Sequence, residues 1–316
     1  MTIARVVVRR VVFGVFLVFA VSSASLLLAT AAPGDYVTDA FSVGVTAESA
    51  ARARARYGLD QPILDQYRRW LTRAVQFDFG RSLAYDRPVA NLVPERAANT
   101  ALLAVTALIV STLSGLPLGI LSGSRSGIVA STIRGGSLAL VSMPPLFISL
   151  ALVFVAARTG WLPIGGMRSA TPAVAGAVDV LKHMIIPVLA LALPIAATFE
   201  RLQAQALADT VRQPFVLATF ARGVSERRVV WRDALKAALG PVAAMYGLVI
   251  GSLLSGSFVV EMVTAWPGLG RLMLDGLRAR DTYLVAGCAA AGTMFLAVGT
   301  LVSDAASVLV NPRIAE

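Results

Sequence analysis

Lysine is almost missing from this chain. Only Lys182 and Lys236 occur among 316 residues, and neither is preceded by glycine or followed by serine or threonine. That excludes the phosphate-cradling loop G-x-x-x-x-G-K-[ST], whose lysine must reach a nucleotide's terminal phosphates. Cysteine is reduced to Cys288, inside an apolar run, which rules out a disulfide framework and a cysteine-type metal site. His183 is the sole histidine, and a zinc-type ligand set cannot be completed around it. G-x-S-x-G is absent as well. The nearest stretch, Gly123 to Gly127, reads GSRSG with Arg125 at its centre, and its serines have no histidine to pair with on the same side of a membrane.

Charge is also scarce. Charged residues make up 15% of the chain and hydrophobic ones 57%, where a soluble domain has about 25% and 45–50%. What the chain has in quantity is long apolar runs: Val11 to Ala32, Thr100 to Leu121, Ser137 to Ala157, Pro241 to Val260 and Tyr283 to Val302. A weaker run, Ile185 to Phe199, is broken by Pro187 and Pro194. About 20 apolar residues in a helix cross a hydrocarbon layer about 30 Å thick. Lipid offers backbone groups no partner outside their own segment, so these runs imply an all-α membrane protein of about six transmembrane helices.

The second, third and fifth runs carry no charged residue. Ion-coupled pumps keep carboxylates or histidines inside the membrane as relays. Here Glu200, Glu261 and Asp304 stand at or near run ends, and His183 lies beside Lys182 just before a run. All four read as interfacial. With neither a fuel site nor an ion relay evident, uphill transport by this chain requires work from a partner.

The net charge of +10 lies in the connecting segments, as in membrane proteins generally, and does not call for nucleic acid. With the N-terminus placed in the cytoplasm, the cytoplasmic segments hold thirteen Lys and Arg and the short external loops six. Six crossings then return the C-terminus to the cytoplasm. The first run, with Ala29-Thr30-Ala31 at its end, has a secretory signal peptide as its rival reading. Its length, about 20 apolar residues against about 7–15 for such a core, favours a retained first helix.

The chain thus divides into residues 1–32 (cytoplasmic N-terminus and first helix), an external polar segment 33–98, and a core 99–316. Residues 201–239 form a cytoplasmic loop within that core. In the external segment Ile63, Tyr67, Trp70 and Leu71 have helical spacing after Pro62, and Tyr57, Trp70 and Phe77 suit a membrane interface. Small residues Gly115, Gly119, Gly247, Gly251 and Ser255 are spaced for close helix packing. Trp266, in WPGLGR, reads as an interfacial anchor at a turn.

The loop is the most informative stretch: PFVLATFARGVSERRVVWRDALKAALGP, Pro214 to Pro241. Its spacing predicts a short helix, a turn at Gly223, and a second helix capped by Ser225 and opening at Glu226. Ala218, Thr219 and Ala221 permit close approach to another surface, and Phe215 and Phe220 offer something to bury there. Such an element fits helix-in-groove docking. A helix lying on anionic headgroups is the alternative.

This segment resembles the EAA loop of binding-protein-dependent ABC importer permeases of the dipeptide/oligopeptide/nickel branch. Phe215, Val216, Ala218, Thr219, Ala221, Arg222 and Gly223 stand at the motif positions, with Thr219 for the usual alanine and Phe215 for the usual tyrosine. PGD (Pro33 to Asp35), YGLDQPILDQYRRWL (Tyr57 to Leu71), GWLPIGG (Gly160 to Gly166), HMIIPVLALAL (His183 to Leu193) and EMVTAWPGLGR (Glu261 to Arg271) extend the resemblance. So do Arg280-Asp281 and the terminal NPRI.

The resemblance implies a type I ABC importer transmembrane fold in a bacterial cytoplasmic membrane, with both termini cytoplasmic. It implies a pore-forming subunit with no catalytic, metal or cofactor site of its own, ATP and Mg being held by partner ATPases. It further implies a second homologous permease, two cytoplasmic ATPase subunits that receive residues Phe215 to Gly223, and an extracytoplasmic solute-binding protein. Short peptides are the implied cargo, with haem or nickel complexes, or a non-transporting scaffold, as alternatives.

Overall fold

The structure, a computed structural model, describes residues 3–34, 36–37, 47–76, 78–169, 171, 176–225 and 228–310. Phe77, Glu226 and the terminal NPRI lie outside the described residues. The described residues are helical throughout apart from turns and one isolated bridge, Arg81 to Pro88. In chain order the helices are α1 (Ile3–Ala31), α2 (Ala47–Tyr57), α3 (Ile63–Ala74), α4 (Val89–Ser124), α5 (Ile128–Val141), α6 (Pro145–Thr159), α7 (Ala177–Val211) and α8 (Pro214–Ala221). A π-helical turn (Val229–Ala234) then leads into α9 (Leu235–Val263), α10 (Leu269–Arg278) and α11 (Thr282–Val310).

Five helical stretches are long and apolar enough to cross a membrane: Val8–Ala31, Val89–Ser124, Ala177–Val211, Val229–Val263 and Thr282–Val302. The sixth expected crossing is not one straight helix. The run Ser137 to Ala157 is broken, and α5 and α6 meet at 102°. The cause lies in Pro144-Pro145. A residue before proline is pushed out of the α region, and here two such positions are consecutive. Pro144 accordingly takes ψ 146 and Pro145 begins α6, where a missing N–H costs nothing. At about 1.5 Å per residue each half reaches only about 21–23 Å, short of a full crossing.

Pro187 and Pro194 have the opposite outcome, since both lie inside the continuous α7. In lipid a helix tolerates proline where neighbouring groups take up the freed carbonyls. Just after the second proline the Thr198 hydroxyl donates back to Pro194 O at 2.9 Å.

The chain packs as two compact units, and these follow contacts rather than the crossing-by-crossing segmentation. One comprises Val7–Ala101 and Pro267–Val298, the other Met1–Val6, Leu102–Trp266 and Gly299–Glu316. In the first, α3 presents Trp70 and Ala74 to Leu26 of α1 and Ala286 of α11. Trp70 is therefore a core residue here rather than an interfacial one. Asp281 ties this unit together. Its carboxylate accepts from the Ser82 hydroxyl at 2.6 Å, from Ala84 N–H at 3.0 Å and from Leu284 N–H at 3.1 Å. The last of these caps the start of α11.

The second unit is built on α7, whose buried face meets α4, α5, α6 and α9. The α4–α7 crossing is set by three glycines. A Cβ at Gly115 would lie 2.5 Å from Ala196 O, at Gly119 2.7 Å from Glu200 O, and at Gly123 2.7 Å from Ala204 O. Only residues without a side chain permit backbones this close. The second small-residue stripe is more open, with Gly247 and Gly251 half-buried and Ser255 exposed.

Candidate functional site: the elbow after the α7 span

α7 extends beyond its apolar core to Val211, and the chain then turns sharply into α8. Gln213 stays extended (ψ 146) and its carbonyl accepts from Val216 and Leu217 N–H at 3.0 and 3.1 Å. Pro214 fills the first helical position, where its fixed φ is already helical. The helix stops two turns later. Gly223 takes φ +77, and its N–H donates to Phe220 O at 2.9 Å. Its surroundings are open, with nothing within 4 Å of where a Cβ would sit. Backbone conformation rather than crowding therefore calls for glycine at this position.

Beyond the turn, Ser225 O accepts from Arg228 and Val229 N–H at 2.9 and 3.1 Å, and the described part of the second helix runs on from Arg228; its expected opening at Glu226 lies outside the described residues. Its first turns are π-helical before α9 takes over. Such wide turns recur at functional positions.

The seven positions singled out from the sequence divide by face. Val216 is fully buried and Thr219 nearly so. Val216 seats α8 on a cluster formed by Ile120, Leu207, Val229, Val230, Ala234 and Ala238, with Phe220 packed against its edge. Phe220 and Thr219 are thus engaged by the chain's own core, not held out for another surface. The Thr219 hydroxyl donates to Phe215 O at 2.9 Å and accepts from Arg222 Nη2 at 3.1 Å, so it satisfies itself locally and orients Arg222. Phe215 (47% exposed), Ala218, Ala221, Arg222 and Gly223 form the outward face, together with Leu217.

Beside this face lies a shallow cavity of about 540 Å³ lined by Ser225, Arg228, Trp231 and Arg232. Trp231 is more than half exposed. An exposed tryptophan between two arginines has the composition of an interaction hot spot. Hydropathy reasoning passed over it because a single tryptophan in a basic stretch carries no periodic signal.

Four residues read as interfacial from the sequence are in fact interior. Glu200 and Glu261 are both 0% exposed, Trp266 is buried in the main core and His183 is nearly buried. His183 Nδ1 donates to Asp179 O at 2.8 Å, and Asp179 in turn accepts from the Ser169 N–H and hydroxyl, both at 2.7 Å. Glu200 pairs with the Ser122 hydroxyl, but its Oε2 and both polar atoms of Gln203 have no partner among the described residues. The side chain of Asp304 lies outside the described ones. Among the described residues no group of three or more histidine, cysteine or acidic side chains could hold a metal ion.

Comparison with known proteins agrees with this architecture. Residues 115–316 match the family described as binding-protein-dependent transport system inner membrane component. Residues 3–104 match the N-terminal region of such membrane components. The oligopeptide transport system permease protein AppB of Bacillus subtilis (strain 168) is 30% identical over 319 residues, covering 98% of this chain and 99% of that protein. The glutathione transport system permease protein GsiC of Escherichia coli (strain K12) is 30% identical over 318 residues, covering 98% of each. The chain belongs to the family of inner membrane components of binding-protein-dependent transport systems. It is a multi-pass ABC importer permease of the type I fold.

Proposed function

We propose that this chain forms half of the translocation pathway of an ATP-driven importer for short peptides. The observation that carries this reading is the end-to-end similarity, 98% of the chain, to permeases named for oligopeptide and glutathione transport. A second, homologous permease completes the pathway, a solute-binding protein delivers cargo on the outside, and two cytoplasmic ATPases hold ATP and Mg. The chain itself catalyses no reaction. Both termini lie in the cytoplasm, by the arginine bias of the short loops.

The elbow is the handle by which the ATPases act. Its outward face offers Phe215 and Leu217 for burial, Ala218 and Ala221 for close approach, and Arg222 for an acidic rim. Its inward face is seated through Val216 on the ends of α4 and α7 and the start of α9. A push on α8 therefore reaches three membrane helices as one body. Rigid-body transmission of this kind is how a two-state transporter is switched by a partner that prefers one state.

The test is reconstitution of the permease pair, ATPases and binding protein in liposomes with labelled di- and tripeptides. ATP-dependent peptide accumulation is expected. Accumulation that persists without the ATPases would overturn the coupling, and import of haem or a nickel complex in place of peptide would overturn the cargo.

A further inference from the structure

We propose that the segment between α1 and α4 carries a pocket for a small organic carboxylate. Within one compact unit, the turn at Tyr57-Gly58, helix α3, the loop Gly80–Asp86 and the start of α11 enclose a cavity of about 480 Å³. That lies in the range of small-ligand sites, about 300–1,000 Å³. Three guanidinium groups line it, Arg69, Arg73 and Arg81, against one carboxylate, Asp86. The lining therefore carries an excess of two positive charges.

Two of the three arginines have hydrogen-bond partners. Arg81 Nε donates to Asp86 Oδ1 at 2.8 Å, and its Nη2 to Asp86 O at 2.7 Å. The loop that presents this pair is itself clamped. Ser82 N–H donates to Arg87 O at 2.9 Å, Val89 N–H donates to Gly80 O at 3.0 Å, and Asp281 holds the loop from beneath. Arg69 lies across Gly58, its Nη2 3.4 Å from Gly58 O. A Cβ on Gly58 would stand 3.2 Å from that same nitrogen, and Gly58 takes φ +67.

Arg73 is the uncommitted member. It stands one turn beyond Arg69 on α3, and its guanidinium makes no hydrogen bond or ion pair among the described residues. A free planar fork in the same lining as two partnered ones matches a carboxylate's two oxygens.

The remaining walls favour an organic anion over a bare inorganic one. Tyr57, Trp70 and Tyr283 contribute rings, and Trp70 is held rigidly in the core behind the cavity. Gly80 lets the loop lie against the Tyr283 ring, 3.4 Å from where a Cβ would be. The site thus pairs a cationic fork with flat apolar faces, the recognition chemistry of a free acid on a small apolar body. That this acid is the terminus of a short peptide rests on the importer reading; the pocket itself does not.

The experiment uses the full permease complex in phosphatidylcholine nanodiscs and titrates alanyl-alanine, its C-terminal amide and inorganic phosphate by calorimetry. The proposal expects the free acid to bind at least tenfold more tightly than the amide and at least tenfold more weakly to Arg73→Met. Arg73→Lys, which keeps the charge but loses the fork, is expected between the two. Equal binding to wild type and Arg73→Met would overturn the proposal. Phosphate binding as tightly as the dipeptide would overturn its organic part. An Arg73-dependent response to added anionic lipid, with none to the dipeptide, would assign the arginines to headgroups and overturn it as well. Uptake is read separately. Wild-type peptide import without an Arg73 effect on binding defeats the pocket alone, whereas Arg73-dependent binding without any import defeats the importer reading alone.

Discussion

The α4–α7 crossing makes a quantitative demand on Gly115 and Gly119. Carbon and oxygen settle at about 3.3 Å or more. An alanine at Gly115 would place its Cβ 2.5 Å from Ala196 O, and one at Gly119 would place it 2.7 Å from Glu200 O. Both obstacles are backbone, so no side chain can swing aside. The two helices must separate by roughly half an ångström or more, an overpacking cost of about 1–3 kcal/mol.

Gly135 and Gly136 on α5 supply the internal control, because nothing lies within 4 Å of a Cβ at either. There alanine should add only its helix preference, about 1 kcal/mol of stabilisation. Thermal unfolding of the detergent-solubilised complex should therefore rank Gly135→Ala above wild type and Gly119→Ala and Gly115→Ala below Gly135→Ala. At about 2–4 °C per kcal/mol for a body of this size, the gap is several degrees. Equal melting of Gly119→Ala and Gly135→Ala would refute the claim that this crossing is set by contact between backbones.

Other consequences follow from the same geometry. Asp281→Ala strands the N–H groups of Ala84 and Leu284, a loss of about 2–4 kcal/mol measurable as a lower melting temperature; an unchanged value would show that the carboxylate does not pin the 82–84 loop. Val216→Ala removes a fully buried side chain beneath α8 and should cost about 2 kcal/mol, with faster hydrogen exchange in α8 than in α7. Equal exchange in both would mean that α8 is held otherwise. The paired change Glu200→Met with Gln203→Leu removes three unpartnered buried atoms and should be neutral or stabilising by about 1–2 kcal/mol. Strong destabilisation would show that water or another chain satisfies those atoms.

The elements that hydropathy and turn chemistry control were legible in the sequence. Pro214 and Gly223 mark local backbone requirements, and the structure meets each where it stands. The broken α5–α6 pair was legible in principle from Pro144-Pro145, but continuous apolarity across the run masked it.

Burial was the harder matter. Glu200, Glu261, His183 and Trp266 lie at the ends of apolar runs, where a one-dimensional reading puts polar and aromatic groups at the interface. Their burial is decided by helices distant in sequence. Gly119 next to Glu200 illustrates this, since the glycine leaves room for a neighbour 81 positions away. The two faces of α8 were illegible for a related reason. All eight of its residues but Thr219 are apolar or proline, so no periodic contrast distinguishes the seated side from the free one. The arginines around the cavity near α3 were visible only as charge in a polar segment, because Arg69, Arg73 and Arg81 come together through a fold no local pattern announces.

The proposed docking of α8 on the ATPases is tested most directly by finding which of its faces, if either, meets them. A photoreactive cross-linker placed on single cysteines answers this, and the native Cys288 is buried and does not compete. Ala218→Cys and Ala221→Cys should capture an ATPase subunit in the assembled complex, and capture should block ATP-driven uptake. Val216→Cys should capture none. An absence of ATPase adducts from Ala218 and Ala221, or adducts from a cysteine at Leu28 at the far end of α1 instead, would contradict the elbow's role.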